Sequence, residues 1–518
     1  MASHGSGLPP WAEFSDPASK PLTYLITAFM VVLLLYSLQG PGSPSTKSLP
    51  HLNPKHPFEF SDTRPKKAFV SGAREMVAAW FRSNPDKPTR IISDFGELTL
   101  LPPLMADELR NDKRLSFSGW TYRAFHAHLP GFEGFREGTK DSQVVQAVIM
   151  RDLTKYLNKV TEPLAEETSL ALAELLPASP ASDWQTVPLR ETMLRLLARI
   201  SSRVFLGEEL CRDEAWLKVT REYTVDGFRA AEELRLWPAP TRFFVHWFLP
   251  LCRRARAHVS QARRVIGPVL ERRRQQKKAY PTVQFDDALE WFEQTAKGQP
   301  YDPAIVQLVM SLAAIHTTTD LVCQVLIDIA GHPEILQPLR EEMITTLREH
   351  GWKKMSLYNM KLLDSVIKET QRVKPIGIVA MRRVALERVE LSDGTVIPKN
   401  GVIAVSSHRL WDAHVHENPD RWDGYRFLRM RETPGRENQA QLVSTSQDHI
   451  AFGHGQHACP GRFFAANETK VALIYLLLRY DWRISGGAVA KARSFGFSLG
   501  ADPFLKMDYR ERKSEVVL

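Results

Sequence analysis

The stretch from Ala451 to Asn467 reads AFGHGQHACPGRFFAAN. It sets Phe452, Gly455, Cys459 and Gly461 at F-x-x-G-x-x-x-C-x-G spacing, directly before an apolar run of helical character from Phe463 to Leu478. Glycines let the backbone approach a flat ligand closely and turn N–H groups toward a sulfur. A helix N-terminus stabilises a thiolate. A lone thiolate in such a turn suits a haem iron. The remaining cysteines, Cys211, Cys252 and Cys323, make no CxxC pair with it or with one another, which excludes a zinc ribbon. Four cysteines in 518 residues are too few for a disulfide scaffold.

The cysteine loop resembles the haem-binding signature of the cytochrome P-450 superfamily, the haem-thiolate monooxygenases, and the resemblance extends over the whole chain. It implies that Cys459 is the axial ligand of haem b iron, within a loop that includes Phe452 and Gly461. It also implies that His457, two residues earlier, hydrogen-bonds a haem propionate. Lys368-Glu-Thr-Gln-Arg372 supplies an E-x-x-R pair. Glu369 and Arg372, three apart, share one helix face and can form a charge-assisted pair. In the family a later arginine joins them to hold the haem-binding core. Arg426 is the candidate, with Arg421 the alternative. Met381-Arg382-Arg383 precedes an Asp393-Gly394 turn, where the family keeps a propionate-binding arginine; counting back from the turn favours Arg383 over Arg382.

A third stretch departs from the family pattern. Ala313-Ala-Ile-His-Thr-Thr318 stands where the resemblance implies an acid followed by two threonines. Thr317 falls on the threonine that assists proton delivery, and His316 replaces the acid. Imidazole titrates near neutrality and can relay protons, so both residues are expected in the chemistry. The wording SLAAIHTTTD together with ACPGRFFAANE resembles fungal microsomal enzymes that oxidise terpenoids: diterpenes, indole diterpenes and meroterpenoids. The implied reaction is oxidation of an apolar small molecule with O2 and NADPH. No G-x-G-x-x-G unit is present, so electrons are expected through a separate NADPH–cytochrome P-450 reductase, with cytochrome b5 a possible second donor. An isomerase or peroxide-driven oxidase that needs no reductase, and a haem sensor without turnover, are the alternatives.

These residues need positioning, and the rest of the chain indicates how. No charge occurs from Pro21 to Thr46, and residues 22–38 are apolar almost throughout. At the α-helical rise those residues reach roughly 25 Å, close to a bilayer core. A cleavable signal peptide would want a basic start and a small-residue cleavage site, and neither stands out. The expected order is a lumenal segment 1–21, a transmembrane anchor 22–38, a Gly/Pro-rich linker 39–50 and one catalytic domain 51–518. Lys20 is the one base before the span, whereas Lys47, Lys55, Arg64, Lys66 and Lys67 follow it. The positive-inside rule then puts the catalytic domain in the cytosol, single-pass on the endoplasmic reticulum membrane.

The net charge of +9 equals that of one segment, Arg253 to Lys278, with ten bases and one acid. Val259, Ala262, Ile266 and Leu270 recur there at helical spacing, so it reads as the solvated face of an amphipathic helix, and no nucleic-acid reading module accompanies it. Helical patterns cover Val70–Arg82, Ser142 to Leu206 with a break near Pro177–Pro188, Asp302–Ile329 and Ser356–Lys374. Hairpins are expected at Thr89–Leu101 and Glu390–Ile403, and a strand-rich stretch at Phe495–Asp508. The fold class is therefore mainly α with small β-sheets, the cytochrome P-450 fold, behind an N-terminal transmembrane helix.

Overall fold

Apolar residues at three- and four-residue intervals dictate long helices, and the computed structural model contains them. It describes residues 24, 27, 48–59, 61–139, 144–177, 183–513 and 515–516. The expected anchor at 22–38 lies outside the described residues apart from Tyr24 and Thr27. Leu49–Leu518 form one compact unit.

The elements that build it are, in chain order, helix α1 (Thr63–Ser83), strands β1 (Thr89–Ser93), β2 (Gly96–Leu101) and β3 (Leu115–Ser116), helix α2 (Leu157–Leu175), strand β4 (Gln185–Pro188), and helices α3 (Leu189–Leu206), α4 (Glu214–Arg235), α5 (Pro250–Ala279), α6 (Pro303–Gly331) and α7 (Lys361–Val373). Then come strands β5 (Val379–Ala385), β6 (Val389–Glu390), β7 (Val396–Ile397) and β8 (Val402–Ser406), helix α8 (Arg462–Arg479), and strands β9 (Tyr480–Ile484), β10 (Arg493–Phe495), β11 (Ser498–Gly500) and β12 (Lys506–Glu511).

Helix α6 is the axis of the core. Asp302 caps it, its carboxylate accepting from the N–H groups of Ala304 and Ile305 at 3.0 and 3.3 Å, and Pro303 opens the first turn. The helix is long and apolar enough to cross a membrane, yet it is mostly buried, packed against α3, α4, α5, α7 and α8. Helix α5 turns Val259, Ala262, Ile266 and Leu270 inward. Its basic face is matched by acids on neighbouring segments, including Asp302 to Arg263 at 2.8 Å and Glu290 to Lys277 at 2.6 Å.

The main sheet runs β1-β2-β8-β5-β3, with β2 and β8 parallel and the other pairs antiparallel. A second sheet, β4-β12-β9, clips the C-terminal end of the chain to the start of α3. Several expected bounds move. Helix α1 begins seven residues before the expected Val70, because Asp62 and Pro65 suit a first turn and Phe69 and Ala73 bury on one face with Val77 and Phe81. The helix expected over Ser356–Lys374 is two, Lys354–Asn359 and α7, separated at Met360. The first hairpin turns at Asp94–Phe95, one residue earlier than its glycine suggests: Gly96, at φ +110°, pairs with Ser93 as the first residue of β2. The second closes as β6–β7, and the chain then leaves it to enter the main sheet as β8. Strand β4, inside the expected break near Pro177–Pro188, has no alternation strong enough to announce it.

Candidate active site

The loop before α8 is folded by its own backbone. The Cys459 N–H donates to the Phe452 carbonyl at 2.7 Å, closing the turn, and Gly453 and Gly455 take φ of +71° and +74° within it. At Gly455 glycine is required twice over: a Cβ there would lie 2.7 Å from the Arg110 carbonyl oxygen. Helix α8 starts three residues after Cys459, so the thiol faces its positive end. Burial pushes the thiol pKa up; the Gly461 N–H and the Arg462 guanidinium act the other way by favouring the thiolate.

Opposite the loop stands the middle of α6. Along a mostly buried helix, Ala313 and Thr317, one turn apart, are exposed. They line the same cavity as Cys459, together with Ile149, Leu153, Phe452 and Phe464. The wall is predominantly apolar. The Thr317 hydroxyl donates into its own helix, to the Ala313 carbonyl at 2.8 Å or that of Ala314 at 3.1 Å, leaving its lone pairs to the cavity.

His316 is not on that face. It does not line the cavity; its Nε2 lies 3.0 Å from the Arg221 carbonyl of α4, and burial lowers its pKa to about 4. A 100° step per residue carries position 316 away from the wall that 313 and 317 share. The acid that does line the cavity is Asp320, three residues beyond Thr317, with Oδ1 accepting from the Ala501 N–H at 2.7 Å. Burial raises its pKa. The spacing from Thr317 would have found it; the cavity residues on other elements, such as Ile149 and Ile376, leave no such signal.

Glu369 and Arg372 are fully buried and doubly bonded, at 2.8 and 2.9 Å. Arg426 joins them, its Nε 3.0 Å from a Glu369 oxygen. Arg421 contributes its carbonyl instead, accepting from Arg372 and Arg426. The remaining donors reach the carbonyls of Leu410 and Glu417, both at 2.6 Å.

The two neighbouring arginines of β5 part company. Arg383 donates to the carbonyls of Leu109 and Arg110, at 3.0 and 3.3 Å. Gln456 of the cysteine loop donates to that same Arg110 carbonyl, and the Arg383 charge helps depress the pKa of His457 after burial does. Arg382 instead lies over the rings of Trp120 and Phe497, at 5.4 and 5.5 Å.

Residues 108–505 match the cytochrome P-450 family profile. The cytochrome P-450 monooxygenase hepE of Aspergillus oryzae is 48% identical over 97% of this chain and 92% of its own. TRI1 of Fusarium sporotrichioides, named likewise, is 47% identical over 90% of this chain and 86% of its own. The chain belongs to the cytochrome P-450 family.

A cytochrome P-450 of this kind is a monooxygenase whose haem is held by a cysteine thiolate and whose electrons come through a reductase. The residues present fit that group. A glycine turn presents one sulfur beside a helix N-terminus, an apolar cavity separates it from small and hydroxylated residues of α6, and Arg383 and His457 gather at one edge of the loop. When bound, the haem supplies oxygen activation and transfer of one oxygen atom to substrate.

Proposed function

We propose that Cys459 is the thiolate that holds the haem, that Phe452 and Gly461 shape the loop around it, and that Arg383 and His457 bind the propionates. Glu369, Arg372 and Arg426 act as a brace for this core and take no part in the chemistry. The observation that carries the reading is the shared cavity of Cys459, Ala313 and Thr317. Its apolar wall excludes water and orients a hydrocarbon substrate, while Ala313 and Ala314 leave room above the sulfur. Thr317 accepts a hydrogen bond at Oγ and passes a proton onward when needed. Protons reach it from the Asp320 side of the cavity, since His316 is tied to α4.

The substrate class is terpenoid, in fungal secondary metabolism, and the chain acts as a single-pass protein of the endoplasmic reticulum membrane with its catalytic domain in the cytosol. NADPH–cytochrome P-450 reductase is the electron donor, with cytochrome b5 as auxiliary. Two measurements test this. The reduced protein with carbon monoxide should show the thiolate-specific absorption band, and terpenoid oxidation should require both NADPH and the reductase. Turnover without the reductase would support an isomerase or peroxide-driven enzyme. Deleting residues 1–40 should release the protein from membranes with its haem retained.

A further inference from the structure

Lys368 stands in the second half of α7 and is almost fully buried. An ammonium has three donors, and here all three go to backbone carbonyls of one loop: Gln439 at 2.8 Å, Gln441 at 2.7 Å and Ser444 at 3.3 Å. Asp364, four residues earlier on the same helix, favours the charged form but is itself held by Lys470 and Arg431, both at 2.6 Å. Asp364 also grips the loop, accepting the Leu442 N–H at 2.8 Å. Two successive turns of α7 thus hold residues 439–444, one by carbonyls and one by an N–H. A buried charge is costly unless such bonds complete it, so the lysine keeps the loop in place.

The gripped loop reaches the sulfur through one residue. The carbonyl of Val443, between Gln441 and Ser444, accepts from Arg462 Nε at 3.1 Å. Arg462 opens α8, and a second of its nitrogens donates to the Cys459 carbonyl at 3.0 Å. An arginine side chain samples many rotamers, and these two carbonyls select one. They fix the guanidinium beside Cys459, where its charge favours the thiolate.

We propose that Lys368 is a positioning residue for the cysteine loop, fixing residues 439–444 so that Val443 holds the Arg462 guanidinium against the backbone of Cys459. Cations and donors behind a ligating sulfur set how much electron density it gives. A lysine that does not line the cavity tunes the sulfur in this way, through a loop.

The inference rests on the haem-thiolate reading, and its test separates the two. Haem-loaded full-length protein is poised at fixed electrode potentials at pH 6. That lies below the value of about 7 to which burial lowers Lys368, so the ammonium prevails. Arg462→Gln should move the ferric–ferrous equilibrium toward ferric iron by about tenfold, because the sulfur loses its cation. Lys368→Met should move it the same way by about threefold, and should add almost nothing in the Arg462→Gln background, since residues on one path are not additive. Equal Lys368→Met shifts in both backgrounds would mean that the lysine acts by its own charge, and would overturn the proposal. An unshifted equilibrium in either single variant would overturn it too. Should Lys368→Met fail to hold haem, Lys368→Gln, which keeps two donors, stands in. Should that fail as well, Arg462→Gln decides alone, a shift upholding the proposal and no shift overturning it. A missing thiolate band with carbon monoxide in the wild type would instead sink the haem-thiolate reading.

Discussion

Glu369, Arg372 and Arg426 bring three charges into the core, and their donors and acceptors all find protein partners. Around Thr317 and Arg382 the molecule does the opposite: an exposed threonine sits mid-way along a buried helix, and a guanidinium nitrogen has no acceptor. A saturated network has nothing left to offer a ligand, and breaking it exposes charges that cannot be solvated. Open valences cost the folded protein something and are kept where a ligand completes them. Satisfaction of polar groups, more than burial, distinguishes the two regions.

That contrast can be attacked at four points. Cys459→Ala should lose the thiolate band and all turnover, since no other described cysteine lines the cavity; retention of the band in purified protein would remove the site from this loop. Glu369→Ala should destabilise by about 3–5 kcal/mol, leaving two arginines without their carboxylate. Chemical denaturation would show a shift of well under 1 kcal/mol if the brace were dispensable.

Glu468 tests the boundary between the two regions. It is fully buried, accepts from Ser201 at 2.5 Å, approaches Thr318 of the cavity wall, and burial raises its pKa to about 8. The folded state therefore keeps it neutral while the unfolded chain ionises near 4.5. Its contribution to stability is full below the unfolded value and is lost as pH rises toward the folded one. Glu468→Gln should thus gain on wild type between pH 5 and pH 8, by roughly 2–4 kcal/mol. Parallel pH profiles of the two proteins in urea would show that the carboxyl is ionised in the fold.

Thr317→Ala should be the mildest in the ground state. Stability and substrate affinity should barely change, while product per NADPH falls several-fold, because the hydroxyl acts late. His316→Ala should leave that ratio intact. A coupling defect in His316→Ala with none in Thr317→Ala would reverse the assignment of the two neighbours.

Much of this was legible in the sequence. The cysteine loop, the E-x-x-R pair and Arg426 announce themselves by residue type and spacing, since local backbone and one helix face are what sequence spacing encodes. His316 misleads because a sequence position next to Thr317 is a third of a turn away in space. Arg382 is hidden for a related reason: its direction depends on a bulge set by pairing with β8, some twenty residues on. Strand β4 exists because β12, at the other end of the chain, pairs with it. No local pattern records a partner that distant.

Helix α6 has one more consequence, for how the chain is made. By length and composition it is long and apolar enough to cross a membrane, and what claims it for the core is the set of helices around it. One of them, α8, is synthesised well over a hundred residues later. During synthesis this helix is therefore an insertion hazard, guarded by the polar residues it carries, His316, Asp320 and Asp328 among them. Chains stalled just past Gly331 should partition into membranes through α6 itself. Replacing Asp320 and Asp328 with leucine should increase that mis-insertion, at a stage when no active site yet exists.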